Sequence, residues 1–175
     1  MAFAPPRSTA RIAGHPIHPM LVMFPVVLFI GTFAADLLWW GTENLFWATL
    51  GLFSLGLGIV TALVAAVFGL IDYFGDPRIR ALPAATHHAA GNILLVALQV
   101  ANFFQRWQGG PADIVPWGVT LSGIAFLILG YSGWKGATLV YAHAVGVDPA
   151  QGAVERDSPQ AAHQAIDLGN RPGQG

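Results

Sequence analysis

Cysteine is absent from this chain of 175 residues. Its absence excludes disulfides, thiolate metal sites, iron–sulfur clusters and the covalent attachment of c-type haem. Any metal ion would therefore need His, Asp, Glu or Tyr side chains as its ligands. Cofactors that bind without a covalent bond stay open.

Charged residues are also scarce, at 10% of the chain, whereas an ordinary soluble domain has about 25%. The net charge of -1 gives no basic surface for DNA or RNA, so nucleic acid is not expected as a partner. The sequence contains no nucleophile elbow, phosphate-binding loop or dinucleotide fingerprint. An electron-transfer or accessory subunit is therefore favoured over a stand-alone enzyme.

Long apolar stretches occupy most of the chain, and 54% of all residues are hydrophobic. A helix needs roughly 20 apolar residues to cross the hydrocarbon core of a bilayer. Four stretches of about that length predict helices over residues 19–40, 45–74, 83–107 and 115–145. The predicted fold is all-α, an integral membrane four-helix bundle in contact with lipid. The predicted organisation is a polar N-terminal segment (1–14), a membrane domain (15–147) and a disordered polar tail (148–175).

The basic residues predict how these helices are oriented. Loops on the cytoplasmic side of a membrane protein carry an excess of lysine and arginine. Only Arg106 lies at one face of the predicted bundle, and the other six arginines flank the opposite face. These six are Arg7, Arg11, Arg78, Arg80, Arg156 and Arg171. Both termini are therefore predicted to be cytoplasmic.

Histidines gather at the predicted cytoplasmic face. Five of the six fall there: His15, His18, His87, His88 and His143. Ionisable groups at membrane depth usually face the bundle interior or a wet cavity, which makes them functional candidates. The alternative is that each imidazole simply lies at headgroup depth, but this does not explain why the outer face has no histidine.

A polar stripe marks one face of the third predicted helix. It consists of His88, Asn92, Gln99 and Asn102, which recur at helical spacing in an otherwise apolar span. Such a stripe is expected to point into the bundle. His88 lies on it, whereas His87 is turned by about 100°.

Other polar residues lie near the ends of the predicted helices. Asp72 and Tyr141 are placed at the histidine-rich face. Asp36 near the opposite face is expected to be interfacial, and the alternative is a carboxylate in the bundle interior. Lys135 is expected to extend toward headgroups or to pair with Asp72 or a cofactor carboxylate.

Several motifs together resemble a known family. They are GHPIHPMLVMFP at the start of helix one, GLIDYF at the end of helix two, His88-x3-Asn92 in helix three and GATLVYAHAVGV at the end of helix four. Over about residues 12–147 the chain resembles the bacterial membrane family called domain of unknown function 2231. The resemblance implies four helices in a bacterial inner membrane but no established reaction. It also implies an apolar residue and a glycine where this chain has Lys135 and Ala144.

One hypothesis is a haem b protein that carries electrons in the membrane. Haem iron takes axial imidazoles from facing helices, and four-helix bundles build such sites in their cores. The candidate ligands are His18, His88 and His143, with His15 and His87 in the wider group. Asp72, Asn92 and Tyr141 would support these ligands, and Arg78, Arg80 or Lys135 would bind the propionates.

Two other hypotheses use the same face of the bundle. One is a Zn, Cu or Fe site formed by His15, His18, His88 and His143. The other is an accessory or proton-conducting subunit whose histidines titrate near neutral pH. A redox partner or a larger membrane complex is the expected protein partner.

Overall fold

The computed structural model describes residues 6–147, and most of them are helical. The elements are β1 (Arg11–Ile12), β2 (His15–Pro16), α1 (Ile17–Leu21), α2 (Met23–Thr42), α3 (Leu45–Gly75), α4 (Pro77–Arg80), α5 (Pro83–Gly109), a 3-10 helix (Gly110–Ile114) and α6 (Trp117–Tyr141). The four long helices correspond to the four predicted ones. The predicted disordered tail lies outside the described residues.

The first predicted helix is interrupted at Val22, between α1 and α2. The cause is Pro25, whose nitrogen cannot donate to the carbonyl of Leu21 and whose ring crowds that carbonyl. The backbone bonds on either side are kept, from Val22 to His18 at 3.1 Å and from Val26 to Val22 at 3.2 Å. His18 therefore lies on a short helix of its own.

The last helix is shorter than predicted, since α6 ends at Tyr141 rather than at Val145. The chain turns at Ala144, whose φ of 51° is left-handed, and the Val145 N–H bonds back to the carbonyl of Leu139 at 2.9 Å. Glycine adopts this conformation most easily, in agreement with the glycine that the family resemblance implies at this position. The early end leaves His143 in the turn beyond α6.

The four long helices form a closed ring, in which α2 and α5 each pack against both α3 and α6. The interior holds an apolar cluster that includes Phe29, Leu55 and Leu95. Large apolar side chains also cover the outside, where Phe53 is 74% and Leu127 is 72% exposed. An outer surface of this kind suits lipid rather than water.

Three helical stretches are long and apolar enough to cross a membrane: Ile17–Thr42, Leu45–Gly75 and Trp117–Tyr141. With 27 residues, α5 has the necessary length, but its polar stripe makes it less apolar. The structure therefore supports several membrane spans, and a fourth span formed by α5 stays a prediction.

Residues 6–16, here called the N-terminal strap, run across the end of α3. The Asp72 carboxylate accepts hydrogen bonds from the backbone N–H groups of Thr9 at 2.7 Å and Ala10 at 2.8 Å. Strands β1 and β2 then pair in a short antiparallel hairpin that leads into α1. Asp72, which was predicted to orient a histidine ligand, thus holds the strap against α3 instead.

Candidate functional site

His18 is directed from α1 toward α3. Its Nδ1 donates to the backbone carbonyl of Ala65 at 2.8 Å, and because a carbonyl only accepts, Nδ1 carries a proton. Gly69 permits this close approach, since a Cβ at that position would lie 2.9 Å from Nδ1. The other ring nitrogen, Nε2, has no partner among the described residues.

His88 repeats this arrangement between α5 and α6. Its Nδ1 donates to the carbonyl of Ser132 at 2.8 Å, and a Cβ at Gly136 would lie 3.0 Å from its Cε1. The Asn92 amide nitrogen lies 2.8 Å from the Ser132 hydroxyl, 2.9 Å from the His88 carbonyl and 3.2 Å from Nε2 of His88, so three acceptors share its two hydrogens. Because the Ser132 carbonyl only accepts, Nδ1 of His88 carries a proton.

His18 and His88 meet at one end of the bundle, where α3 ends and α5 begins, which is called here the histidine end. Their ring centroids are 6.1 Å apart and their planes lie at 83° to each other. The two rings come from different helices, and each is anchored through Nδ1 to a carbonyl of another helix. The pair is thus held in a fixed orientation. Nε2 of His18 has no hydrogen bond to a described residue, whereas Nε2 of His88 lies 3.2 Å from the Asn92 amide nitrogen.

The other three candidate histidines lie apart from this pair. His15 is exposed in β2, with Nδ1 2.9 Å from the Ala13 carbonyl, and His87 is exposed with Nδ1 3.4 Å from the Tyr131 hydroxyl. His143 is exposed beyond α6. Within residues 6–147, no three His, Asp or Glu side chains are grouped to hold a metal ion. The alternative four-histidine metal site is therefore not assembled in this part of the chain.

The cations predicted to bind cofactor carboxylates have other contacts. Arg78 pairs with Asp76 at 2.7 Å, and its guanidinium holds the pKa of that carboxyl well below its usual range. The Lys135 ammonium lies 5.5 Å from the centroid of the Tyr131 ring, in a cation–π contact within α6. Arg80, the other cation predicted to bind a propionate, is exposed, and so is Tyr141, which was predicted to support a histidine ligand.

An ion pair is buried at the opposite end of the bundle, which is called here the outer end after the predicted orientation. Asp36 of α2 is 1% exposed and Arg106 of α5 is 2% exposed. Two hydrogen bonds join them, Nη1 to Oδ1 at 2.5 Å and Nη2 to Oδ2 at 2.6 Å. Ser122 of α6 donates to the same carboxylate at 2.5 Å. The expectation that Asp36 is interfacial is therefore wrong, because a two-bonded guanidinium compensates its charge in the interior.

The sequence did contain a signal that Arg106 faces the interior. Arg106 follows Asn102 by one helical turn and so continues the polar stripe of α5, and its Nε donates to the Asn102 side chain at 2.8 Å. Asn102 and Gln99 are fully buried, which confirms that the stripe faces the interior. A prediction from loop charge alone places Arg106 at the outer face and does not use its position on this stripe.

An apolar layer separates the histidine pair from the ion pair. On α5 the apolar interval runs from Asn92 to Gln99, seven residues or about 10 Å along the helix axis. Between them Leu95 is 2% exposed and packs with Phe29 and Leu55. Because a proton path needs polar groups or water along its whole length, this layer argues against conduction through the bundle. The two polar clusters are distinct sites.

Comparison with known proteins supports the family resemblance and adds no reaction. No curated protein and no solved structure matches the chain. A family model does match residues 14–149, a range that contains both the histidine pair and the ion pair. The chain therefore belongs to the DUF2231 family, whose description is "predicted membrane protein".

Proposed function

We propose that this protein carries electrons in the membrane by binding haem b between His18 and His88. The observation that supports this function is a pair of imidazoles on different helices with ring centroids 6.1 Å apart. Bundles of helices commonly bind haem through side chains on facing helices. The other three histidines are not needed for this site.

The spacing of the two rings suits axial ligation of one iron. A metal–imidazole bond is about 2 Å long, so one iron and two imidazoles require ring centres separated by about 6 Å. The Nδ1–H groups donate to the carbonyls of Ala65 and Ser132. Outer hydrogen bonds of this kind fix the tautomer and the direction of a ligating histidine. Asn92 would release Nε2 of His88 and keep its bond to the Ser132 hydroxyl.

Two glycines allow each imidazole to pack closely against a neighbouring helix. Gly69 and Gly136 lie against the imidazoles, where any larger residue would displace them. Bound haem would supply one-electron chemistry, and the chain would hold the imidazoles and limit the access of water. Arg80 and Lys135 are the cations that we propose for the propionates.

A dithionite-reduced minus oxidised visible spectrum tests this function on the full chain, purified after expression with ample haem. We expect sharp b-type bands that are lost in His18→Ala and in His88→Ala, because each variant removes an axial ligand. His87→Ala and His143→Ala are the matched controls. Both side chains are exposed and outside the pair, so the bands should persist.

The outcomes separate the alternatives. A featureless spectrum from the wild-type protein would overturn the haem proposal, and metal analysis of the same sample would then show whether Zn, Cu or Fe is bound. Bands that depend on His143 but not on His18 would assign a different ligand pair. Gly69→Ala should lower haem content without removing a ligand, whereas Gly133→Ala should not, because nothing lies within 4 Å of the added Cβ.

We also propose that the chain spans a bacterial inner membrane four times with both termini in the cytoplasm. The arginines of the strap and of α4 at the histidine end support this orientation. The haem would then lie near the cytoplasmic leaflet. A redox partner, or a larger membrane complex, would reach it from that side.

A further inference from the structure

A cavity of about 170 Å³ lies at the outer end of the fold, between α3, the 3-10 helix and α5. Its walls are mainly apolar and include Ala48, Leu52, Pro111 and Ile114. Arg106, which is 2% exposed, contributes the charged part of the lining. The cavity therefore combines apolar walls with one buried guanidinium.

The Arg106 guanidinium has more N–H donors than its hydrogen bonds use. It carries five N–H donors, of which one bonds to Asn102 and two bond to Asp36. These three bonds leave two N–H hydrogens of Arg106 unused. A buried donor without an acceptor is costly, so an oxygen atom from a ligand would be favoured beside Arg106.

The charge of this site selects against an anion. Asp36 already compensates Arg106, so a second negative charge would lie unpaired in an apolar surrounding. A neutral acceptor such as a carbonyl oxygen uses the free N–H groups without adding charge. The ligand class is therefore a neutral, apolar molecule that carries a carbonyl.

The volume of the cavity limits the size of that molecule. A cavity of about 150 Å³ with apolar walls is known to hold one benzene ring. The cavity at Arg106 therefore has room for one six-membered ring. We propose that it binds the head group of a benzoquinone, with a ring carbonyl accepting from Arg106 and the apolar tail leaving toward the lipid.

Binding of decyl-benzoquinone to the full chain in lipid nanodiscs tests the site, with isothermal titration as the readout. We expect saturable binding that weakens at least tenfold in Leu52→Trp, since the indole fills the cavity. Leu50→Trp is the matched control, because Leu50 lies two residues away on α3, is 40% exposed and does not line the cavity. Its affinity should equal that of the wild type.

A second variant tests the site in case Leu52→Trp does not fold. Thr49 is an exposed residue at the cavity, so Thr49→Trp should weaken binding with little effect on the fold. Decylbenzene, which lacks a carbonyl, should compete at least tenfold more weakly than decyl-benzoquinone, because it forms no hydrogen bond with Arg106.

Three results would overturn the inference. They are equal binding by the wild type and both cavity variants, equal competition by decylbenzene, and a copurified phospholipid that the quinone does not displace. The site lies at the end of the bundle opposite the histidine pair, so each of these results is independent of whether haem binds.

Discussion

Arg106 and Asp36 have almost no contact with solvent. Removing a charge from water costs several kcal/mol per ion, and mutual attraction offsets this only when the geometry is good. Here two short bonds join the pair, and a third from Ser122 satisfies the carboxylate further. Each charge is therefore tolerated in the interior only while the other is present.

Replacing one member of this pair should be more harmful than replacing both. Asp36→Leu and Arg106→Leu are each expected to lower the free energy of unfolding by about 3–5 kcal/mol, because an unpaired charge stays buried. The double variant should recover much of that loss. Reversible unfolding in mixed micelles, followed by circular dichroism, measures the complete cycle. A double variant whose loss equals the sum of the single losses would contradict this account.

The sequence predicts at which end of the bundle a residue lies better than it predicts the direction of the side chain. The order of the helices brings five histidines to one end of the bundle. Which of them meet depends on the position of each histidine around its helix axis and on where each helix ends. His87 points away from its neighbour His88, and His143 falls beyond the end of α6. The inward stripe of α5 was predictable because periodicity within one helix does report direction. Contacts between helices, such as that of Asp36 with Arg106, have no comparable periodic signal.

At the scale of elements, hydropathy predicted the extent of the long helices closely. The predicted ranges 45–74 and 83–107 correspond to Leu45–Gly75 and Pro83–Gly109. Local signals mark both starts, since Asn44 caps α3 and Pro83 occupies the first turn of α5. The first and last helices deviate because Pro25 and Ala144 act through backbone geometry, to which hydropathy is insensitive.

The N-terminal strap had no periodic pattern that could predict its course. Its position depends on single hydrogen bonds to two carboxylates near the end of α3. Asp72 accepts from the Thr9 and Ala10 N–H groups, and Asp76 accepts from the Arg7 N–H at 3.2 Å. Asp76 also caps α4 through the Arg78 N–H at 2.9 Å. Loss of either carboxylate should therefore loosen the strap locally.

Protection of the Arg7 amide against hydrogen exchange should depend on pH through Asp76. The Arg78 guanidinium holds the pKa of Asp76 well below its usual range, so ionised Asp76 stabilises the folded strap. This contribution is complete above the pKa of about 4 of an unfolded aspartate and is lost as pH falls toward the lower folded value. Protection factors corrected for intrinsic exchange should thus be constant near neutral pH and decrease in acid.

Asp76→Asn tests this dependence directly. It removes the charge at every pH, so protection of Arg7 should fall about fivefold at neutral pH and its decrease in acid should become smaller. Glu43→Gln, in the turn between α2 and α3, is the control and should leave the profile unchanged. Unaltered protection of Arg7 in Asp76→Asn would show that Asp76 does not hold the strap.

At the scale of the whole molecule, the burial of Arg106 increases the difference in exposed positive charge between the two ends of the bundle. The positive-inside rule counts basic residues in loops, and Arg106 is paired in the interior instead. It is the basic residue of the outer end among residues 6–147, so that end presents no exposed cation in the described part of the chain. The histidine end has exposed Arg7, Arg78 and Arg80. This asymmetry predicts cytoplasmic termini more strongly than the sequence alone.

Introduced cysteines can test the orientation and the fourth span together, because the natural chain has none. In intact cells, an impermeant maleimide should label Gly41→Cys and Ala112→Cys, which lie at exposed positions of the outer end. Arg80→Cys should react only after the membrane is permeabilised. Arg80 and Ala112 flank α5, so equal accessibility of the two would mean that α5 does not cross the bilayer. The reverse labelling pattern would keep four spans and place the histidine pair at the outer leaflet.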